Sequence, residues 1–137
     1  MTYEKSCGAV VYTKAGGDIR YVLIQQTEGF WGFPKGHMEE NETEEQTALR
    51  EIEEEVHLKV SILPGFRTTD EYRLPNKPEV IKQVVFFCAE YDSQTMIAQQ
   101  EEVSQTSLAP YDEAMRLLTY ESTKRVLREA HRFLLSR

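Results

Sequence analysis

Several short runs of mainly apolar residues, rich in Val, Ile and Tyr, are separated by polar or turn-forming segments, and they predict β-strands. Two glycines, at positions 16 and 17, lie between the first two runs and are typical of a hairpin turn. Two prolines within residues 74–78 favour a turn or loop before the last run. The runs that predict strands are 7–13, 19–26, 60–66 and 80–91.

Helical spacing is found in three other parts of the chain. Residues 28–37, which are rich in glycine and aromatic side chains, predict a loop that leads into an acidic helix. That helix could be capped by Asn41, or by Thr43 in a capping box with Gln46. A short helix is predicted over 112–118, and an apolar stripe predicts a longer one over 121–135. Mixed strands and helices indicate one α/β unit.

The acidic helix has two unlike faces. Leu49, Ile52 and Val56 fall on one face at 100° per residue, and we expect them to pack inward. Three glutamates are expected on the opposite, outward face, where the spacing i, i+3, i+4 lets their carboxylates converge. They are Glu51, Glu54 and Glu55.

Length and charge limit the classes of function. A chain of 137 residues with 40% hydrophobic residues can bury one core, which predicts a single domain over residues 1–137. The net charge of −7 argues against a broad nucleic-acid-binding surface, which would need many basic residues. Nine glutamates lie between positions 39 and 55, so the negative charge is largely local.

The cysteines and the absence of long apolar runs indicate a cytoplasmic protein. Cys7 and Cys88 each lie in an apolar run, which favours buried reduced thiols over a disulfide. No run is long enough to span a membrane, and no signal peptide is evident. The oligomeric state stays open.

A tight cluster of carboxylates favours a bound cation, because two like charges about 4 Å apart repel by roughly 4 kcal/mol at an effective dielectric near 20. Oxygen ligands favour Mg²⁺, with Mn²⁺ possible, and such ions bind phosphates. A solvated acidic surface is the plainer alternative. The spacing of Gly36, Glu42 and Arg50 around the glutamates is more restrictive than a charge run. Glycine at 36 allows an unusual backbone shape, and Arg50 can hold a carboxylate or phosphate.

These residues resemble the Nudix box, the signature of the Nudix hydrolases, over residues 36–58. The box has Gly, five residues, Glu, seven residues, Arg-Glu, an aliphatic residue, any residue, Glu-Glu, any residue, Gly and an aliphatic residue. One position departs, since His57 replaces the second glycine and puts the end of the helix in question. The matching residues are Gly36, Glu42, Arg50, Glu51, Ile52, Glu54, Glu55 and Leu58. The resemblance implies a Nudix fold, a mixed β-sheet sandwiched between α-helices.

Flanking segments are similar to animal-type asymmetrical diadenosine tetraphosphate (Ap4A) hydrolases. This resemblance implies an adenine sandwiched between Tyr72 and Phe133, although Phe133 also fits the apolar stripe of its own helix. It also implies a metal-binding carboxylate outside the box, for which Glu102 is the candidate. Cationic or polar side chains near the box are candidates to contact the phosphate chain: Lys35, His37 and Lys77.

The resemblance implies a Mg²⁺-dependent hydrolase that splits Ap4A into ATP and AMP. Glu51, Glu54 and Glu55 hold the metal in this interpretation, and Glu54 is the first candidate for the general base, although roles could be exchanged. The box alone leaves other substrates open: RNA 5′-pyrophosphates, nucleoside triphosphates and ADP-ribose. A non-catalytic Nudix-like nucleotide-binding module is the alternative of another class. A small nucleotide is therefore the expected partner.

Overall fold

The computed structural model describes residues 2–98 and 103–137. In that part of the chain, strands and helices follow one another in the mixed order expected from the sequence. The elements are β1 (Thr2–Ala15), β2 (Asp18–Gln26), β3 (Trp31–Gly32), β4 (Lys35–His37), α1 (Glu44–Val56), β5 (Ser61–Ile62), β6 (Thr68–Leu74), β7 (Lys77–Glu90), β8 (Val103–Pro110), α2 (Tyr111–Leu117) and α3 (Glu121–Leu135).

The described strands form one mixed sheet around a parallel pair. β1 and β7 run parallel along eleven paired positions, from Thr2 opposite Val80 to Tyr12 opposite Glu90. The other pairings are antiparallel: β2 and β4 join β1, β3 and β8 join β2, and β5 and β6 join β7. β1 and β7 are buried along most of their length, as strands in the centre of a sandwich must be.

Helices cover both faces of this sheet. α1 packs on one face through Ala48, Ile52 and Val56, whereas α2 and α3 pack on the other. Alternate residues of β1 and β7 enter the two cores, because successive side chains of a strand point to opposite faces. Cys7 lies in the first core and Cys88 in the second, and both are buried free thiols, as predicted. The predicted α/β/α sandwich is confirmed.

The predicted hairpin between the first two strands is confirmed. Ala15 pairs with Asp18, which leaves Gly16 and Gly17 as a two-residue turn. Both glycines have positive φ, 60° and 91°, as a turn of type I′ requires.

Three local features differ from the sequence pattern. The strand predicted over 60–66 is reduced to Ser61–Ile62, because Pro64 and Gly65, with φ 97°, end it. The polar run Thr68–Leu74 is a strand that the apolar pattern did not reveal, since several of its side chains are exposed. The turn or loop predicted over 74–78 is a two-residue turn, shorter than the predicted range, and Pro78 lies within β7 at its exposed start.

The chain from 28 to 37 is also more regular than predicted, because it contains β3 and β4. The described part of the chain has no helix that is long and apolar enough to cross a membrane.

Candidate active site

Thr43 begins the acidic helix. Its side chain accepts a hydrogen bond from the Gln46 backbone at 3.1 Å, and the Gln46 side chain accepts one from the Thr43 backbone at 2.9 Å. This reciprocal pair is the capping box that the sequence offered as one of two starts. Asn41, the other candidate, precedes the helix with φ 68°.

His57 ends the helix in the same way that a glycine would. It has φ 58° and ψ 36°, the left-handed conformation, and its N–H donates to the Glu53 carbonyl at 2.9 Å. The departure from the box therefore preserves the turn, although a residue other than glycine is strained there.

The two faces of α1 differ from the prediction at two positions. Leu49 is 39% exposed, so it does not join the packed face. Glu55 is 3% exposed and lies on the inward side, next to Val56. The side chain of Glu51 is 12% exposed and that of Glu54 is 56% exposed. The three glutamates therefore differ in exposure, from the buried Glu55 to the open Glu54, and they do not share one outward face.

β4 contacts the two less exposed glutamates of α1, Glu51 and Glu55. The Lys35 backbone N–H donates to Oε1 of Glu55 at 2.9 Å. The Glu51 carboxylate fills the space beside Gly36, so a Cβ at that position would overlap it. Gly36 is thus required for close approach, and the expected unusual backbone shape is not found, since its φ is not positive.

Arg50 links the rest of the box. Its guanidinium makes a two-pronged contact with Glu42, at 2.7 and 3.0 Å, and donates to the His37 carbonyl at 2.9 Å. It also donates to Glu51 at 3.0 Å and to Glu54 at 3.3 Å. Arg50, which the sequence indicated could hold a carboxylate or phosphate, thus contacts three carboxylates of the box.

Glu42 is held as a carboxylate by this network. Hydrogen bonds from Arg50, the Glu39 backbone and Thr47 lower its pKa to about 2. The hydrogen bonds of Arg50 to Glu42 and Glu54, with the charge of Glu51, raise the pKa of Arg50 well above its usual range. The loop before α1 therefore stays tied to the helix across the physiological pH range.

A second group of polar side chains lies on the other face of β4. Lys35 and His37 flank Gly36, so they point away from the α1 glutamates. The ammonium of Lys82 lies 3.2 Å from Nδ1 and 3.3 Å from Nε2 of His37. Burial, followed by the charge of Lys82, lowers the pKa of His37 and so favours its neutral form.

Lys82 was not among the site residues predicted from the sequence. It is 6% exposed, and burial lowers its pKa, with the nearby charge of Lys35 adding to the shift. Lys82 lies two residues before Val84 and four before Phe86, so all three side chains are on the same, inward face of β7. A lysine at an inward position was the signal that could have revealed it.

Tyr72 lies beside Lys82, its register partner on β7, and is 41% exposed. Partial burial raises the pKa of Tyr72, and the charges of Asp70 and then Tyr120 raise it further. Tyr120 precedes α3, is 48% exposed, and has its ring 5.3 Å from that of Phe30. An open aromatic surface therefore adjoins the cationic face of β4.

Two predicted substrate contacts lie elsewhere. Phe133 packs on Phe66, with ring centroids 5.4 Å apart. Along α3 it lies about 20 Å from Tyr120, at the helical rise of about 1.5 Å per residue. Phe133 therefore packs beside Phe66, at the opposite end of α3 from Tyr120. Lys77 begins β7, about 16 Å along the strand from Lys82. Glu102 lies outside the described residues.

The donor set of α1 suits a hard divalent cation, because three carboxylates lie within about one helical turn and carboxylate oxygens are the ligands that Mg²⁺ prefers. Within residues 2–98 and 103–137, no three acidic, histidine or cysteine side chains are already gathered around one point. Lys35 and Arg50 engage carboxylates of the set instead.

Comparison with known proteins places this arrangement in a family. The model of the NUDIX domain matches residues 2–130. The chain belongs to the Nudix family. Its members, the Nudix hydrolases, generally use divalent metals, and this Nudix hydrolase carries the box carboxylates on α1.

The Nudix chain is similar to asymmetrical bis(5′-nucleosyl)-tetraphosphatases over nearly its whole length. The enzyme of Rattus norvegicus is 32% identical over 96% of this chain and 96% of its own. The enzyme of Caenorhabditis elegans is 27% identical over 95% and 96%. A structure described as a binary complex of a C. elegans Ap4A hydrolase superposes with a TM-score of 0.89 at 26% identity, covering 98% and 99%.

Proposed function

We propose that this Nudix hydrolase cleaves dinucleoside tetraphosphates asymmetrically, with Ap4A giving ATP and AMP. One observation carries the proposal: β4 has buried carboxylates of α1 against one face and the cationic side chains of Lys35 and Lys82 on the other. A polyphosphate needs both, since cations neutralise its charge while carboxylates recruit a divalent ion. The similarity to asymmetrical tetraphosphatases supports this substrate class.

Glu51, Glu54 and Glu55 are the residues proposed to hold Mg²⁺, with Mn²⁺ as an alternative, and Glu102 is a further candidate. The bound ion supplies positive charge that neutralises phosphate oxygens and makes water more acidic. Arg50 fixes the direction of Glu51 and Glu54 through its guanidinium.

Glu54 is the proposed general base. It has the most exposed side chain of the three glutamates, at 56%, and Arg50 holds it only at 3.3 and 3.4 Å. It is therefore open to an attacking water, from which it takes a proton as the new bond to phosphorus forms and the phosphoanhydride bond breaks.

Lys35, His37 and Lys82 are the proposed contacts to the phosphate chain. We place the base between Tyr72 and Tyr120, since both rings are exposed, Tyr72 is the register partner of Lys82, and stacking on a base is worth about 1 to 3 kcal/mol. Tyr120 replaces Phe133 in this role, because Phe133 packs on Phe66.

The substrate is tested by identifying products from Ap4A with and without Mg²⁺. ATP and AMP formed only with the metal are expected. A panel of RNA 5′-pyrophosphates, nucleoside triphosphates and ADP-ribose tests the alternatives, and faster cleavage of any of these would overturn the choice of substrate.

The catalytic helix is tested with Glu54→Gln, which should lower kcat by about 10²- to 10³-fold with little loss of stability, because the base is removed and the shape is kept. Glu53→Gln is the matched control, since Glu53 lies exposed on the same helix. Equal turnover in both variants and the parent would remove α1 from the chemistry and favour a non-catalytic nucleotide-binding module.

The same proposal includes one Nudix domain over residues 1–137, a small nucleotide as partner, and action in the cytoplasm. The free, buried state of both cysteines supports a reducing compartment.

A further inference from the structure

The face of the sheet that carries Lys35, Lys82 and Tyr72, which we call the cleft, also contains a negative charge. Glu4 on β1 is the register partner of Lys82 on β7, which in turn is the partner of Tyr72 on β6. Paired residues of neighbouring strands point to the same face, so the three side chains form one row. A carboxylate there would repel a polyphosphate unless it serves another purpose.

The surroundings of Lys82 indicate that purpose. Its side chain is only 8% exposed, and its ammonium lies 3.9 Å from Oε1 of Glu4. The groups that face it are Glu4 from β1, Lys35 and His37 from β4, and Tyr72 from β6. Glu4 is the acidic group among them that opposes the effects of burial and of Lys35.

We propose that Glu4 is a positioning residue for substrate binding: its carboxylate holds the Lys82 ammonium, charged, beside His37 on the floor of the cleft. This inference rests on the proposed function, because Lys82 is useful only if the cleft accepts phosphates. A buried ammonium without a counter-charge tends to lose its proton, and a neutral amine binds phosphate weakly.

The pH dependence follows from the sign of the interaction. Burial and Lys35 lower the pKa of Lys82, whereas Glu4 raises it. Loss of the carboxylate therefore lets Lys82 lose its proton at a lower pH. Substrate affinity should then fall at a lower pH as well, while kcat stays within about two-fold because no group that reacts is removed.

The test compares Glu4→Gln with Glu71→Gln. Glu71 lies exposed on β6, one residue from Tyr72 and so on the opposite face, where it accepts a bond from Gln83. Both variants remove one negative charge and keep the side-chain size. The first readout is the pH midpoint at which Lys82 loses its proton in the metal-free protein, monitored by NMR of the lysine side chains. The second is the pH profile of KM for Ap4A.

Glu4→Gln should lower the Lys82 midpoint and raise KM about 3- to 10-fold on the alkaline side, and Glu4→Asp should recover part of both, whereas Glu71→Gln should change neither. An unchanged midpoint in Glu4→Gln, or an equal shift in Glu71→Gln, would overturn the inference. If the parent protein does not cleave Ap4A, the proposed function fails, and the NMR midpoints still decide the role of Glu4.

Discussion

Arg50 serves as the common partner of groups that come from three places in the chain. Its guanidinium contacts the loop carboxylate of Glu42, the carbonyl of His37 on β4, and Glu51 and Glu54 on its own helix. A planar fork with several donors can satisfy these acceptors together, whereas the single ammonium of a lysine cannot.

Arg50→Lys should therefore lower kcat/KM by about 10²-fold or more while the chain still folds, because misplacement of catalytic groups by about 1 Å costs roughly that much. Steady-state assays measure the loss, and circular dichroism checks the fold. Lys124→Arg on α3 provides a control far from the box. Activity within a few-fold of the parent would mean that the guanidinium does not orient the glutamates.

His57 holds a conformation that suits glycine better. His57→Gly should stabilise the protein by about 0.5 to 1 kcal/mol, because glycine reaches the left-handed region without a Cβ penalty. His57→Ala, which removes the imidazole and keeps the strain, should bring no such gain. Urea unfolding measures both, and a loss of stability in the glycine variant would show that the imidazole itself is needed.

The three glutamates of the box that lie on α1 were predictable, because one helix fixes their spacing. The buried state of Glu55 was not, since it depends on the backbone N–H of Lys35, twenty positions earlier in the chain. Strand pairing brings Lys82 to the cleft, and its inward position on β7 was the one local signal of it, whereas no local pattern marked Tyr120.

α1 is fastened at its first turn by an ion-pair network between elements. Glu44 accepts two bonds from Arg67, each at 2.9 Å, and one from Lys5 on β1 at 2.7 Å. These contacts lower its pKa to about 2. The beginning of the catalytic helix is thereby tied both to the central strand and to the segment that precedes β6.

Stability should depend on this network in acid. A carboxyl whose pKa is lower in the folded state contributes fully above its unfolded pKa, and the contribution is lost as the pH falls toward the folded value. At pH 7 the free energy of unfolding of the parent should exceed that of Glu44→Gln by about 1 kcal/mol. This difference should shrink steadily as the pH falls below about 4.5. Thermal melts between neutral pH and pH 3 measure the gap, with Glu53→Gln as the control. A gap that is constant with pH would exclude the ion pairs as its source.

Long elements were predictable and short ones were not. The apolar stripe of α3 gave its predicted bounds of 121–135, and the hairpin glycines placed the first turn. β3, β4 and β5 have two or three residues each, too few for a period to show. β6 is polar because it covers an outer part of the sheet, so hydrophobic alternation could not mark it.

The two cores meet at the parallel pair of β1 and β7, and each core holds one cysteine. Cys7 and Cys88 are both fully buried, and burial raises their pKa values to about 11 and about 12. Neither thiol should react in the native state, because the thiolate is the reactive form and the reagent has no access.

Both thiols should therefore be labelled at one rate, equal to the rate of global unfolding, if the two layers open together. Mass spectrometry of each cysteine-containing peptide over time measures the two rates, and immediate labelling in denaturant is the control. Faster reaction at Cys7 than at Cys88 would show that the α1 layer opens by itself.

β4 makes its three contacts to α1 without using a side chain. The Lys35 N–H and the His37 carbonyl hold Glu55 and Arg50, and the missing side chain of Gly36 admits Glu51. Neighbouring side chains at 35 and 37 can thus be exchanged during evolution to suit another ligand while the catalytic scaffold keeps its shape. Selection for new specificity and selection for a working centre act on separate atoms of the same three residues.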